Sequence, residues 1–262
     1  MKQRVLTGVL AAAFFIPIVI IGNGVFTVLV YVLASIAMFE LLRMKNIQIF
    51  SVPGVISVLL LWVLLLPAEY TIIITGNVVS KVEVALLSVL LFLTYTVVTK
   101  NRFSFDDVAF VTLATLYIGI GFYYLIVTRE AGLHYILFAL IIIWATDSGA
   151  YFFGRAFGKQ KLWPEISPNK TIEGSIGGVI SAIVAVFVYQ LFIPMDENII
   201  KLLIMTILLS IFGQVGDLVE SALKRHYAVK DSGQILPGHG GILDRFDSLL
   251  FVLPILHFLQ LF

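Results

Sequence analysis

Residues 199–247 read IIKLLIMTILLSIFGQVGDLVESALKRHYAVKDSGQILPGHGGILDRFD, and this stretch changes character partway along. The first part, Ile199–Leu218, is predominantly apolar and has the length of a helix that crosses a bilayer. The second part, Ser221–Asp247, contains four Lys and Arg residues, three aspartates and four glycines. An apolar helix followed directly by such a segment predicts a membrane protein with a phosphate- and metal-binding site at the membrane surface.

The composition of the whole chain agrees with a membrane protein. Hydrophobic residues make up 60% of the 262 residues and charged residues only 13%, and the mean hydropathy is +1.04. Soluble domains carry about 25% charged residues, so a soluble globular fold is excluded. The net charge of +1 gives no basic footprint for nucleic acid. The absence of cysteine excludes disulfides, thiolate metal sites and a cysteine nucleophile.

Apolar runs long enough to approach the thickness of a bilayer recur along the chain. Nine segments are candidate spans: Val5–Gly22, Val25–Leu42, Val52–Leu66, Val82–Val98, Val108–Val127, Leu133–Phe153, Ile176–Ile193, Ile199–Leu218 and Leu249–Phe262. The runs are continuously apolar, which favours helices over the alternating pattern of a barrel. We therefore predict an all-α integral membrane protein, a polytopic bundle of about nine transmembrane helices. We divide it into N-terminal helices, residues 1–130, and C-terminal helices, residues 131–262, which carry the catalytic site.

The distribution of basic residues predicts the orientation of this bundle. If the N-terminus is cytoplasmic, 14 of the 17 Lys and Arg residues fall in cytoplasmic segments. This asymmetry is the one that the positive-inside rule describes, and it places the C-terminus outside. It also places the two polar inserts, Gly154–Gly174 and Leu223–Ser248, on the cytoplasmic side, where they can meet.

Four acidic residues lie within or at the ends of the predicted spans: Glu40, Asp147, Asp217 and Glu220. A carboxylate inside a membrane helix costs at least ~2.5 kcal/mol, so each needs a partner or a function. Glu40 lies one helical turn before Arg43, which favours an ion pair at the cytoplasmic interface. For Asp147, a functional role and a hydrogen bond between helices are both open.

Asp217, Ser221 and Lys224 follow a helical spacing that places them on one face of the same helix. A carboxylate, a hydroxyl and an ammonium aligned in this way suit a metal and a phosphate together. If these residues are considered alone, the simpler interpretation, an ion pair within the helix with Lys224 in solvent, is the better one.

The glycines of Gly238-His239-Gly240-Gly241 allow the backbone to approach a ligand and to offer N–H groups to phosphate oxygens. The chain then runs directly into Asp244-Arg245-Phe246-Asp247. Asp244 and Asp247 share a helical face, and two carboxylates so placed suit Mg²⁺. Arg245 is a candidate bidentate clamp for phosphate.

In the upstream insert, Ser167-Pro168-Asn169-Lys170-Thr171 resembles a phosphate-binding turn, although the GxxxxGK[ST] loop pattern is missing. The alternative is a basic loop that anchors the protein to anionic lipids. Gly174, Gly177 and Gly178 at the start of the seventh span indicate close helix packing rather than ligand contact.

The two inserts together resemble the phosphatidate cytidylyltransferase family, also called CDP-diacylglycerol synthases. The pattern runs from Ser221-x-Leu-Lys-Arg through Lys230-Asp231-x-Gly, Leu-Pro-x-His239-Gly-Gly-Ile and Asp244-Arg245-Phe-Asp247 without a gap. The upstream Ser167-Pro-x-Lys170-Thr171-x-Glu173-Gly174 also resembles that family, whereas the N-terminal spans resemble it only in hydropathy.

The resemblance implies that CTP and phosphatidate react to give CDP-diacylglycerol and pyrophosphate at the cytoplasmic face of the cell's inner membrane. It implies Mg²⁺ as cofactor, with a second cation open, and Asp217, Asp244 and Asp247 as metal ligands; Asp147 is a further candidate. The same three aspartates and Lys224 are the expected catalytic residues. The residues expected to bind substrate are Ser167, Asn169, Lys170, Thr171, Ser221, Arg225, Lys230, Asp231, His239, Gly240, Gly241 and Arg245. CTP, phosphatidate and membrane lipids are the expected partners, nucleic acid is not, and a homodimer is left open.

Two other functions compete with this one. A CTP-dependent membrane kinase of the polyprenol or phytol type would transfer the γ-phosphoryl group instead of the cytidylyl group. An ion-coupled transporter with Asp147 and Asp217 as coupling acids is the alternative from a different class of protein.

Overall fold

In a computed structural model, the chain folds mainly into helices, as its continuous apolar runs predict. The structure describes residues 2–67, 80–195 and 197–259, with side chains from residue 7 onward. Nine helices lie in these ranges: α1 Lys2–Ile21, α2 Asn23–Met44, α3 Val52–Leu65, α4 Lys81–Val98, α5 Phe105–Ala131, α6 Leu133–Phe157, α7 Ile172–Phe192, α8 Ile199–His226 and α9 Leu243–Phe258. Two short strands, β1 Lys161–Trp163 and β2 Ser167–Thr171, lie between α6 and α7.

Each of the nine predicted spans falls on one of these helices. By length and composition, α2 and α4 to α8 are long and apolar enough to cross a membrane. The polytopic all-α membrane fold is therefore confirmed, while the orientation of the termini stays a prediction. The last three residues of the ninth predicted span, 260–262, lie outside the described ranges.

The chain forms two compact units. The first contains Met1–Val127 and the segment Ser232–Ile242, and the second contains Thr128–Asp231 and Leu243–Phe262. The assignment of Ser232–Ile242 to the first unit depends on contacts remote in sequence, which the apolar pattern does not encode.

In the first unit, the carboxylate of Glu40 is buried, with 1% of the residue exposed, near the end of α2. Its Oε2 accepts a hydrogen bond from Ser232 Oγ at 2.9 Å, and its Oε1 accepts one from the Ile242 backbone N–H at 2.9 Å. The predicted ion pair with Arg43 at the interface is wrong for this position, because Arg43 is exposed and Glu40 faces a segment about 200 residues away.

In the second unit, α6 and α7 pack closely because glycines line their contact. A Cβ on Gly178 would lie 2.8 Å from the Thr146 carbonyl oxygen, and one on Gly174 would lie 2.8 Å from that of Ala150. A Cβ on Gly177 would overlap the side chain of Phe153. The prediction that these glycines serve close helix packing is confirmed.

The strands β1 and β2 form an antiparallel hairpin, with Lys161 opposite Thr171 and Trp163 opposite Ser167. The prediction of a turn at 167–171 is wrong, since these residues form β2. Thr171 then begins α7 as its N-cap, because its Oγ1 accepts a hydrogen bond from Gly174 N at 3.1 Å. The hairpin thus presents Lys170 next to the start of a helix.

Candidate active site

The predicted site residues of the second unit meet where α8 leaves its apolar section. The 28 residues of α8 span about 42 Å, more than the ~30 Å hydrocarbon core, and Lys224, Arg225 and His226 lie in its last turn. Asp217, Ser221 and Lys224 all remain on this helix, as their spacing predicts.

Asp217 links α8 to the hairpin. Lys170 Nζ of β2 lies 2.6 Å from Asp217 Oδ2, and Ser221 Oγ donates to Asp217 Oδ1 at 3.3 Å. Lys170 and Asp217 are separated by 46 intervening residues, so the sequence alone does not pair them. Two residues that the sequence analysis assigned to different roles therefore act on each other.

Lys224 is held between two carboxylates. Its Nζ donates to Asp244 Oδ1 of α9 at 2.6 Å and forms an ion pair with Glu220, one helical turn earlier on α8. The side chains are 15%, 5% and 0% exposed for Lys224, Asp244 and Glu220, respectively. An ion pair this well buried is costly to disrupt, because removal of one member leaves an uncompensated charge.

Glu220 is the residue of this site to which the sequence analysis gave no role. The available signal was the presence of an acid in an apolar helix four residues before a lysine. The spacing of Glu220 and Lys224 does not reveal that Asp244 contacts the same lysine from another helix.

Three carboxylates lie within electrostatic range of one another: Asp147 of α6, Asp217 of α8 and Asp247 of α9. The charges of Lys170 and Arg245 also act on Asp147, and that of Lys224 acts on Asp247. Asp247 Oδ1 accepts a hydrogen bond from Ser248 N at 2.7 Å in the first turns of α9. The charge of Asp147, the further candidate metal ligand, therefore interacts with the charges of the candidate site.

Counted as fully ionised groups, the acids of this cluster outnumber its bases. Its members are five acids and three bases: Asp147, Asp217, Glu220, Asp244, Asp247, Lys170, Lys224 and Arg245. A cluster with an excess of negative charge repels a nucleotide triphosphate unless cations compensate it. Carboxylate oxygens are the donors that Mg²⁺ prefers.

The residues present fit a magnesium ion by their donor chemistry. Within the described part of the chain, no group of three His, Asp or Glu side chains is arranged closely enough to hold a metal ion by itself. Asp217 and Asp244 are each paired with a lysine instead. Because Mg²⁺ takes one or two carboxylates and completes its shell with water and phosphate oxygens, such a group is not required.

Other predicted substrate residues of the second unit lie on the hairpin, on α8 and α9, and just after α8. Arg225 Nε donates to the Ile166 carbonyl at 3.3 Å and so fastens α8 to the hairpin. Asn169, Lys230, Asp231 and Arg245 are exposed. Ser167 pairs with Trp163 in the hairpin, and Thr171 is buried as the N-cap of α7, a structural role that the sequence analysis did not predict.

The remaining predicted residues, His239, Gly240 and Gly241, belong to the first unit. They lie in a loop in which Leu236 N donates to Gly240 O at 3.0 Å and His239 N donates to Leu236 O at 2.8 Å. Gly238 and Gly240 adopt φ values of 78° and 82°, which L side chains rarely tolerate, so glycine is needed at both positions. Gly241 packs against Glu40, because a Cβ there would overlap the carboxylate.

The chain is similar in sequence to known proteins over nearly its whole length. The model of the cytidylyltransferase family matches residues 2–262. A protein of Bacillus subtilis (strain 168) named phosphatidate cytidylyltransferase is 58% identical over 262 residues, which is 99% of this chain and 97% of the relative. Proteins with the same name from Staphylococcus haemolyticus (strain JCSC1435) and Staphylococcus aureus (strain COL) are 53% and 50% identical, each over 261 residues, 99% of this chain and 98% of the relative.

Proposed function

We propose that this chain, which belongs to the cytidylyltransferase family, transfers the cytidylyl group of CTP to phosphatidate, giving CDP-diacylglycerol and pyrophosphate. The observation that carries the proposal is the cluster of lysine-paired carboxylates where α8 leaves its apolar section. A membrane-embedded lipid and a water-soluble nucleotide can meet at such a place. The match of the family model and the relatives' common name support the same reaction.

The chemistry needs positioning and charge neutralisation rather than a strong base. The phosphate of phosphatidate is already an anionic nucleophile, and it attacks the α-phosphorus of CTP in line with the departing pyrophosphate. One oxygen–phosphorus bond forms while the bond to the β-phosphate breaks, so no proton has to be removed from the nucleophile.

Lysines at the ends of two elements supply fixed positive charge for this reaction. Lys224 is held by Glu220 and Asp244, so its ammonium group has little freedom to reorient. Lys170 is directed by β2 toward Asp217. We assign Lys224 to charge neutralisation at the reacting phosphates and Lys170 to binding of a substrate phosphate.

Magnesium would be held by Asp217 and Asp247. Asp147 and Asp244 are further candidate ligands from the same cluster. A bound divalent cation supplies Lewis-acid neutralisation of the triphosphate and orients it for displacement. Its binding would also offset the negative charge of the ionised carboxylates that lie beside the triphosphate.

The distribution of Lys and Arg supports a multi-pass protein of the inner membrane with this site on the cytoplasmic side, where CTP is available. Membrane lipids surround the bundle, and a homodimer is consistent with the chain but is not required by the proposed site.

The decisive test is a purified assay with phosphatidate and CTP labelled separately in the cytidine and in the γ-phosphate. Cytidine label in the lipid together with γ-label in pyrophosphate is the expected result. Release of CDP with γ-label in the lipid would instead identify a lipid kinase. Turnover in detergent, without sealed vesicles, is also expected, because no gradient is involved.

A further inference from the structure

The segment Ser232–Ile242, here called the glycine loop, is closed by a single buried carboxylate. Glu40 accepts a hydrogen bond from Ser232 Oγ at the start of the loop and one from Ile242 N at its end, both at 2.9 Å. The side chain of one residue on α2 therefore holds both ends of an eleven-residue segment together. Compact loops whose ends are close in this way are frequently functional.

The glycines next to these ends pack against the same carboxylate. A Cβ on Gly233 would lie within 2.8 Å of Glu40 Cδ, and one on Gly241 would overlap both carboxylate oxygens. Ser232, Gly233, Gly241 and Ile242 are all buried. The sequence therefore has glycine at both positions where the backbone lies directly against Glu40. This close packing supports the contact independently of the two hydrogen bonds.

The tip of the loop is ordered as well. Leu236 and Gly240 form a bridge, and a Cβ on Gly8 of α1 would lie 3.3 Å from His239 Nε2. Gly238 and Gly240 supply the left-handed backbone conformations of this tip, which glycine adopts without strain.

We infer that Glu40 is a positioning residue for the reaction: by closing the glycine loop, it fixes the backbone that carries His239, Gly240 and Gly241. Glu40 does not touch the substrate in this role. The inference rests on the proposed function and on the prediction from sequence that the glycines of this loop offer backbone N–H groups to a substrate phosphate.

The test compares three variants at position 40 in the full-length protein, purified in detergent. Glu40→Ala removes both acceptors, Glu40→Asp withdraws the carboxylate by one methylene, and Glu40→Gln keeps an acceptor for Ile242 N–H in the same position. The measurements are kcat/KM for CTP and phosphatidate and the hydrogen-exchange rates of amides 232–242. Glu83→Gln, a substitution at an exposed capping glutamate of α4, is the matched control.

We expect Glu40→Ala to lower kcat/KM by about tenfold or more, since it removes the acceptors of two buried hydrogen bonds, and to speed exchange in the glycine loop. Glu40→Asp should show a smaller change in the same direction. Glu40→Gln should restore both measurements most of the way, and Glu83→Gln should change neither. A purely structural role would lower the melting temperature without accelerating exchange selectively in 232–242.

Unchanged exchange in the loop of Glu40→Ala would overturn the inference, and so would faster exchange with normal kcat/KM. If Glu40→Ala does not accumulate, Ser232→Ala and Gly233→Ala test the same contact from the other side and should show the same paired changes. A wild-type protein inactive on CTP and phosphatidate would refute the proposed function, whereas the exchange comparison would still decide whether Glu40 closes the loop.

Discussion

Lys224 Nζ on α8 lies 2.6 Å from Asp244 Oδ1 on α9, across twenty positions of the sequence. This contact converts an ordinary pair of charges within one helix, Glu220 and Lys224, into a buried group of three. The lysine is thereby fixed between two helices that both carry predicted catalytic acids. Four substitutions test how the site and its framework depend on such contacts.

Glu220→Gln should reduce kcat by about tenfold, because loss of one anchoring charge frees Lys224 to reorient and leaves a buried group poorly compensated. Steady-state kinetics on the purified enzyme check this expectation. Glu197, which lies just before α8, and Lys201 in its first turn also form an ion pair four residues apart, so Glu197→Gln is the control and should leave kcat unchanged. Equal effects of the two substitutions would show that Glu220 does not position Lys224 for the reaction.

Lys170→Ala should raise the KM for CTP or for phosphatidate by about tenfold, because it removes a charged partner of a substrate phosphate. It also leaves Asp217 without the ion pair seen at 2.6 Å. A double-mutant cycle with Asp217→Asn should therefore show non-additive losses in kcat/KM. An unchanged KM for both substrates would contradict the binding role of Lys170, and additive losses would show that the pair is not coupled during the reaction.

Asp247→Ala should nearly abolish turnover while the protein remains inserted in the membrane, because a carboxylate predicted to hold Mg²⁺ is lost. Asp247→Asn should need a higher concentration of Mg²⁺ for half-maximal activity, and chelation of divalent cations should abolish wild-type turnover. A magnesium titration measures both effects. Asp106→Asn, at an exposed acid in the first turn of α5, is the control. Near-normal activity of Asp247→Ala at ordinary Mg²⁺ concentrations would remove Asp247 from the metal site.

Gly177→Ala should destabilise the folded protein by about 1–3 kcal/mol, because the added methyl group would overlap the side chain of Phe153 between α6 and α7. Gly24→Ala on α2 is the matched control, since nothing lies within 4 Å of a Cβ there. That substitution should be neutral or stabilise by up to about 1 kcal/mol through helix propensity. Thermal unfolding in detergent compares the two variants. A Gly177→Ala protein as stable as the wild type would mean that the two helices can separate at little cost.

The sequence by itself determined the class of fold and most of the chemical inventory of the site. Continuous apolar runs that are long enough to cross a bilayer predict helices, because a helix satisfies its backbone hydrogen bonds within the segment and lipid offers no other partners. Local spacing also sufficed for Asp217, Ser221 and Lys224, since positions three and four apart share a helical face whatever the rest of the fold does. The close-packing role of Gly174, Gly177 and Gly178 followed from residue size in the same way.

Only the tertiary structure decided which charge meets which. Lys170 could have been paired with several acids, and it pairs with Asp217 because residues 161–171 form a hairpin rather than the predicted turn. Glu40 has a basic neighbour one turn away, yet its carboxylate closes a loop about 200 residues later. The physical reason is that the energy of a buried charge depends on the partners that the folded chain brings to it, and periodicity along one helix carries no information about a contact with another.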